Sequence, residues 1–198
     1  PSDADRVTEE ALDTIQVNIT AQCNLACAHC HVGSSPMRRE AMGREALEAV
    51  LKVARERGIR TIDVTGGAPE MHADLEWFLR EASSAVPRVM VRSNLVILQE
   101  AAYARFLDVY DEMGVEVVAS LPNVFEAEAD AQRGRNTFDA TVALLRRLNE
   151  RGYGRDGLHV LDVVFNPQEP VLPPMQEDVE AMYRRRLGNL GISFDNLF

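Results

Sequence analysis

The sequence predicts an α/β protein whose parallel strands form a partial (βα)6 TIM-like barrel. Strand-like and helix-like segments alternate along almost the whole chain, and glycines follow several of the helices. The composition, with 46% hydrophobic and 26% charged residues, is typical of a soluble globular protein. At 198 residues the chain can bury a core without disulfide or metal staples.

Hydrophobic periodicity places the individual elements. Strands are expected where apolar residues alternate or run together, at residues 14–19, 61–65, 88–93, 115–121 and 158–165, with a sixth at 191–198, where the chain ends. Helices are expected where apolar residues share one side, at residues 42–57, 74–85, 100–113, 137–151 and 175–187. Single helices between successive strands specify a parallel sheet with right-handed crossovers.

The chain is expected to form one core domain over residues 1–198, with residues 1–13 as a flexible N-terminal extension. The segment 166–174 contains four prolines and is the one candidate boundary. Its position between the fifth strand and the last helix favours a functional or packing loop within the same domain.

The charge balance and the hydropathy pattern exclude several classes of partner. Lys and Arg number 21 and Asp and Glu number 31, so the formal net charge of −10 disfavours nucleic-acid binding. No segment approaches the roughly 18 apolar residues that span a bilayer, so no membrane association is expected. The polar, acidic N-terminus is unlike a secretory signal, and the cytoplasm is therefore the expected location.

All three cysteines lie in one short segment, at Cys23, Cys27 and Cys30. Cysteines so close together in a cytosolic protein are typical of metal ligands. Three thiolates can hold a [4Fe-4S] cluster and leave one iron open to another ligand. Two alternatives stay open on spacing alone: a zinc ion completed by His29 or His31, and three structural thiols.

Polar residues and glycines follow the other predicted strands. Thr65–Glu70, with the sequence TGGAPE, follows the second strand, Asn94 ends the third and Ser120 ends the fourth. Ligands of parallel sheets bind at the carboxyl ends of the strands, so these groups are expected to form one site. Because side chains alternate along a strand, only one of Ser120 and Ala119 can face the barrel interior. On their own, Gly66 and Gly67 are equally compatible with an ordinary strand-to-helix turn.

The CxxxCxxC pattern after the first strand and the GG-x-P element after the second resemble the radical S-adenosylmethionine (radical SAM) superfamily. The resemblance runs from about Thr14 to the end of the chain and implies two cofactors, a [4Fe-4S] cluster and SAM. Cys23, Cys27 and Cys30 match the cluster ligands of that family. SAM would chelate the open iron and be cleaved to methionine and a 5′-deoxyadenosyl radical.

The resemblance also implies a set of SAM contacts. Gly66 and Gly67 match the backbone that lies against the amino group of SAM, and Glu70 would replace the glutamate that usually stands where this chain has Ala68. Arg133 resembles the arginine that pairs with the SAM carboxylate; the alternative for Arg133 is a solvated surface arginine. The remaining implied contacts are to the methionine, ribose and adenine parts of SAM, from Asn94, Ser120 and His29.

The finer motif pattern resembles the radical SAM proteins of arsenosugar biosynthesis, but without their C-terminal Cys-rich domain, because no cysteine follows Cys30. The implied activity is transfer of the 5′-deoxyadenosyl group to a small molecule, a dimethylated trivalent arsenical. The implied electron donor is a flavodoxin or ferredoxin. The alternatives are a radical SAM enzyme that modifies a peptide and a non-enzymatic module that binds zinc or iron.

Overall fold

A computed structural model of the protein describes residues 12–28, 30–166 and 175–198. Within these ranges a single parallel sheet has five strands in the order β1-β2-β3-β4-β5. The strands are Thr14–Thr20, Thr61–Gly66, Arg88–Ser93, Glu116–Ser120 and Leu161–Val164. The helices α1 to α6 are Arg44–Arg57, Leu75–Ala85, Phe106–Glu112, Glu126–Arg133, Thr137–Glu150 and Gln176–Asn189.

Each strand pairs with the next strand along the chain, which confirms the predicted partial barrel of parallel strands. The expected sixth strand is present as a shorter extended segment beside β5. Asp195 N donates to Leu161 O at 2.7 Å, and Val163 N donates to Asn196 O at 2.9 Å. Phe198 N then donates to Val163 O at 2.9 Å, so the end of the chain continues the hydrogen-bond ladder.

Two helical regions differ from the sequence prediction. The helix expected at 100–113 begins only at Phe106. Residues 100–105 form turns instead, in which Tyr103 N donates to Glu100 O at 2.9 Å and Phe106 N donates to Tyr103 O at 3.0 Å. The helix α4 was not predicted. Its eight residues, EAEADAQR, include only alanines as apolar residues, so hydrophobic periodicity does not reveal it.

The two faces of the sheet differ in chemistry. Val17, Val64 and Val91 belong to the hydrophobic core. Alternate residues face the other side, where Arg92 Nε lies 2.9 Å from both carboxylate oxygens of Asp63 and Gln16 Nε2 donates to the same carboxylate at 2.9 Å. That side therefore combines a buried polar network with apolar residues such as Val118, which pairs with Arg92.

Three segments fall outside the described residues. They are residues 1–11 of the expected N-terminal extension, His29, and residues 167–174 of the proline-containing loop. In the ranges that are described, every helix is too short or too polar to cross a bilayer.

Helix α6 anchors the end of β4 through one buried tyrosine. Tyr183 OH donates to Leu121 O at 2.8 Å, and its ring packs edge-on against Phe165 with 5.8 Å between ring centroids. We expect Tyr183→Phe to lower the free energy of unfolding by about 1–3 kcal/mol, because the buried Leu121 carbonyl loses its side-chain donor. Urea unfolding measures this loss, with the partly exposed Tyr103→Phe as control. Equal losses in the two variants would contradict the assignment.

Candidate active site

A cavity of about 340 Å³ lies at the carboxyl ends of the strands. Its walls come from the segment after β1 and from the residues that end or follow the other strands. Most of the site residues expected from the sequence line it, namely Cys23, Cys27, Cys30, Gly66, Gly67, Asn94, Ser120 and Arg133. The tertiary structure thus brings together groups that are up to 110 positions apart, from Cys23 to Arg133.

The three cysteines are free thiols on a loop held by its own backbone. Leu25 N donates to Cys23 Sγ at 3.4 Å, and Ser34 N donates to Cys30 Sγ at 3.3 Å. Cys30 N also donates to Cys27 O at 3.2 Å. The loop therefore turns its sulfurs toward N–H donors and the cavity, an arrangement that stabilises thiolates.

Burial raises the pKa of the Cys23 thiol above its ordinary value, while hydrogen bonds from Leu25 N and Asn94 oppose that change. Burial also raises the pKa of the Cys27 thiol, and the nearby Arg133 guanidinium opposes it. Cys27 and Cys30 each raise the pKa of Cys23 by charge repulsion, so the three thiols are close enough to interact. A bound cation removes this mutual repulsion, because it stabilises all three thiolates together.

The donor type fits an iron–sulfur cluster, because three thiol side chains line one cavity and thiolates are the ligands that such clusters take. The sulfurs are not already gathered as a ligand set: in the described part of the chain, no group of three or more His, Cys, Asp or Glu side chains is arranged to hold a metal ion. Ser34 also lines the cavity, and its buried Oγ has no hydrogen-bond partner among the described residues. A buried, unpaired hydroxyl in a cavity wall fits a site that takes a polar ligand.

The two glycines after β2 lie directly against the chain that enters the cysteine loop. Gly67 N donates to Thr20 O at 2.7 Å, and Ala68 N donates to Gln22 O at 2.8 Å. A Cβ at Gly66 would lie 2.4 Å from Thr20 O, and Gly66 has a φ of 132°. A Cβ at Gly67 would lie 2.1 Å from Gln22 O. Only glycine fits at these two positions, because the two backbones approach each other too closely to leave room for a side chain. Both glycines also line the cavity.

Asn94 and Ser120 occupy the cavity wall at the ends of β3 and β4. Asn94 Nδ2 donates to Asn24 Oδ1 at 2.9 Å and lies 3.5 Å from Cys23 Sγ. Ser120 lines the cavity, whereas its neighbour Ala119 is fully buried in the core, as strand alternation requires. Asn94 therefore joins the end of β3 to the cysteine loop.

The structure does not bring Glu70 to the cavity wall. Its Oε1 accepts hydrogen bonds from Ser93 Oγ at 2.5 Å and from Tyr110 OH at 2.9 Å, and its buried Oε2 has no partner in the described chain. Burial raises the pKa of this carboxyl, and the two hydroxyl donors only partly oppose the change. Glu70 lies in the 3-10 helix Pro69–Met71, and its side chain is buried in the core. The Glu70 side chain therefore stabilises the glycine turn from the core side.

Arg133 ends helix α4 and is only 5% exposed, so the alternative of a solvated surface arginine is wrong. Its Nη1 donates to Ser120 O at 2.5 Å and to Thr141 Oγ1 at 3.3 Å, and its Nη2 donates to Asn94 O at 2.7 Å. Three of the five N–H donors of the guanidinium are thus engaged, two of them on backbone carbonyls. Two N–H groups on different nitrogens can bind a ligand carboxylate together only if some of these hydrogen bonds break.

Sequence reasoning missed Ser34 as a site residue. Ser34 has no motif of its own and reaches the cavity only because the loop turns back after Cys30, where Gly33 has a φ of 60°. The predicted adenine contact, His29, lies outside the described residues.

The fold and the site together define a class: an open parallel α/β barrel with a thiol-lined cofactor site at its carboxyl rim. The family model described as the radical SAM superfamily matches residues 17–170. The chain therefore belongs to the radical SAM superfamily, a superfamily of enzymes that use a [4Fe-4S] cluster and SAM.

Two curated relatives illustrate which proteins the chain resembles in sequence. The chain is 30% identical over 94 residues to a probable GTP 3′,8-cyclase of Sulfurisphaera tokodaii, a match to 47% of this chain and 30% of that protein. It is 30% identical over 138 residues to the antilisterial bacteriocin subtilosin biosynthesis protein AlbA of Bacillus subtilis, a match to 68% of this chain and 30% of that protein. Neither protein is named for arsenosugar biosynthesis.

Among solved structures, the crystal structure of Streptococcus suis SuiB bound to S-adenosylmethionine has the same fold. The TM-score is 0.69 at 15% identity, over 94% of this chain and 40% of that one. The chain thus spans less than half the length of each of these three proteins.

Proposed function

We propose that this chain is the core of a radical SAM enzyme that generates a 5′-deoxyadenosyl radical in the cavity at the carboxyl ends of its strands. The observation that carries the proposal is the set of three free cysteines that border one cavity together with the glycine turn, Asn94, Ser120 and Arg133. When bound, the reduced cluster supplies the one electron that cleaves SAM to methionine and the radical.

Under this proposal Cys23, Cys27 and Cys30 hold the cluster. Thr65–Gly67, Ser34 and Ser120 surround the space beside it, where SAM is to bind. Apolar residues complete the wall, among them Leu25, Val164 and Phe165. They exclude water from the reacting centre, as an enzyme that makes a reactive radical requires.

We propose a flavodoxin or ferredoxin as the electron donor and a small molecule as the substrate. The support for docking of the electron donor near the cysteine loop is an exposed apolar surface on the segment that follows Cys30. The side chains of Met37 and Val32 on that segment are 84% and 42% exposed. Weak electron-transfer complexes use small interfaces of this kind.

A dimethylated trivalent arsenical is the substrate implied by the motif resemblance, and we propose it as the first compound to assay. Trivalent arsenic prefers thiolate ligands, yet the chain has only three cysteines and all of them line the cluster cavity. The proposal therefore requires that the arsenical bind without a separate protein thiol.

A peptide is the second candidate substrate, and the curated relative AlbA favours it, because that protein is named for bacteriocin biosynthesis. Mass spectrometry separates the two candidates. Incubation with the arsenical yields an adenosylated arsenical if the first is right, whereas a mass change confined to an added peptide supports the second.

We expect Cys27→Ser to lose at least nine-tenths of the bound iron and to stop forming 5′-deoxyadenosine. The protein is isolated without oxygen, reconstituted with iron and sulfide, and assayed with SAM and a strong reductant by chromatography. Met37→Ser is the matched control, because it removes an exposed sulfur side chain from the same loop without touching the cavity.

The control is expected to keep the iron and the activity of the natural chain. One zinc ion without sulfide in the natural chain would contradict the proposal and support a non-enzymatic zinc module. Full retention of iron by Cys27→Ser would also contradict the proposal.

A further inference from the structure

Two side chains from outside the cysteine loop reach the cavity that its three thiols border. Asn94, which follows β3, donates from Nδ2 to Cys23 Sγ at 3.5 Å. Arg133, at the end of α4, lies in the wall of the same cavity as Cys27, where its positive charge opposes the burial that raises the pKa of that thiol. Both side chains are buried, at 9% and 5% exposed. These contacts join the cysteine loop to two distant elements of the barrel.

Arg133 cannot leave the cavity wall without breaking buried contacts. Its Nη1 donates to Ser120 O at 2.5 Å and its Nη2 donates to Asn94 O at 2.7 Å. Asn94 is held in turn, because Ile97 N donates to Asn94 Oδ1 at 3.1 Å. The ends of β3 and β4 therefore fix Arg133, whereas Asn94 is fixed both by the segment after β3 and by its bond to Asn24 of the cysteine loop, at 2.9 Å.

The positive charge of Arg133 has no paired carboxylate in the described part of the chain. Asp130 is the acid whose charge acts on Arg133, and the oxygens of Asp130 accept N–H groups of Asn136 and Phe138 at the start of α5. The neutral carbonyls of Ser120 and Asn94 accept hydrogen bonds from Arg133 without cancelling its charge. Cysteines of the same cavity would supply the missing negative charge as thiolates when a cluster is bound.

A buried cation and N–H···S hydrogen bonds stabilise the more negative of two redox states. The reduced form of an iron–sulfur cluster carries one more electron than the oxidised form, and hydrogen bonds to the sulfurs and local charge set its potential. Low solvent access strengthens both effects, because little water screens the charge.

We propose that Arg133 and Asn94 raise the reduction potential of the cluster: Asn94 donates to Cys23, and Arg133 supplies a buried positive charge in the cavity wall that no carboxylate pairs with in the described residues. The inference rests on the proposed function, since it requires that these cysteines hold a cluster. It assigns to Arg133 a role toward the cluster, where the motif resemblance implied a contact to the SAM carboxylate.

The test is a redox titration of the reconstituted protein, followed by electron paramagnetic resonance in the absence of SAM. We expect Arg133→Gln to lower the reduction potential of the cluster by about 59 mV. At the midpoint potential of the natural chain, the ratio of reduced to oxidised cluster in this variant is then about tenfold lower, because one electron is transferred. Arg133→Lys keeps the charge and is expected to recover most of that shift. Arg135→Gln, two positions away and exposed, removes the same charge from the surface and is the matched control.

Each outcome is decisive. A natural chain that binds no cluster defeats the proposed function itself. If Arg133→Gln keeps its full iron content and its potential is unchanged, this inference is overturned but the proposed function is not. An equal shift of potential in Arg135→Gln has the same meaning. If Arg133→Gln holds no cluster, Asn94→Ser decides, since it removes the amide donor to Cys23 together with the bonds to Asn24 and Ile97 and leaves every charge unchanged. With full iron content, a lowered potential supports the inference and an unchanged one overturns it.

Discussion

Replacing Gly67 by alanine is expected to prevent assembly of the cluster site. The new Cβ would lie 2.1 Å from Gln22 O and 2.6 Å from the Gln22 carbonyl carbon, and both are backbone atoms that cannot rotate away. The segment leading to Cys23 must therefore move, and the hydrogen bonds from Gly67 N and Ala68 N to that segment are lost with it. Forced overpacking of this kind costs about 1–3 kcal/mol of stability.

Iron analysis after reconstitution and urea unfolding measure the two consequences. We expect Gly67→Ala to bind less than a tenth of the iron of the natural chain. Gly43→Ala is the control, because no atom lies within 4 Å of a Cβ built there and its φ of −72° is ordinary for alanine. Equal iron content in the two alanine variants would show that the glycine turn does not hold the cysteine loop.

The stability of the protein is expected to fall as pH rises, in part because of Glu70. Burial raises the pKa of this carboxyl in the folded state above its ordinary value of 4.5. Above 4.5 the unfolded chain releases the proton that the folded chain still holds, so unfolding becomes easier with each pH unit. One such proton corresponds to about 1.4 kcal/mol per pH unit, until pH passes the folded pKa and no further stability is lost.

Glu70→Gln removes this proton and is expected to flatten that part of the pH profile. The amide oxygen can still accept from Ser93 and Tyr110, so both hydrogen bonds survive. Urea unfolding of the natural and variant chains at several values between pH 5 and 8 measures the effect as a difference that grows with pH. The exposed Glu45→Gln controls for loss of a surface charge. A difference that stays constant with pH would refute the assignment to Glu70.

Much of the candidate site follows from local sequence order. The cysteines are neighbours along the chain, and the TGG turn, Asn94 and Ser120 each end or follow a strand. Once the strands are recognised as parallel, their carboxyl ends must meet at one edge, so the residues after them must meet as well. Alternation along β4 allowed only one of Ser120 and Ala119 to face the interior, the family resemblance implied Ser120, and Ser120 is the one in the cavity wall.

Other features could not be read from local order. Arg133 lies on a polar helix without hydrophobic periodicity, and only packing shows that it is buried in the wall of the cavity that the cysteines border. Glu70 belongs to the glycine motif in sequence, but a 3-10 helix carries it to Tyr110, forty positions away, instead of into the cavity. Ser34 reaches the cavity through the return of its loop.

By itself, therefore, the sequence determined the barrel, the order of its strands and the three thiols of the proposed cluster site, because hydrophobic periodicity and short spacings are properties of neighbouring residues. Only the tertiary structure decided which polar groups accompany those thiols. Such contacts join residues far apart in the chain, and the direction of a buried polar side chain depends on the partners that the completed fold offers it.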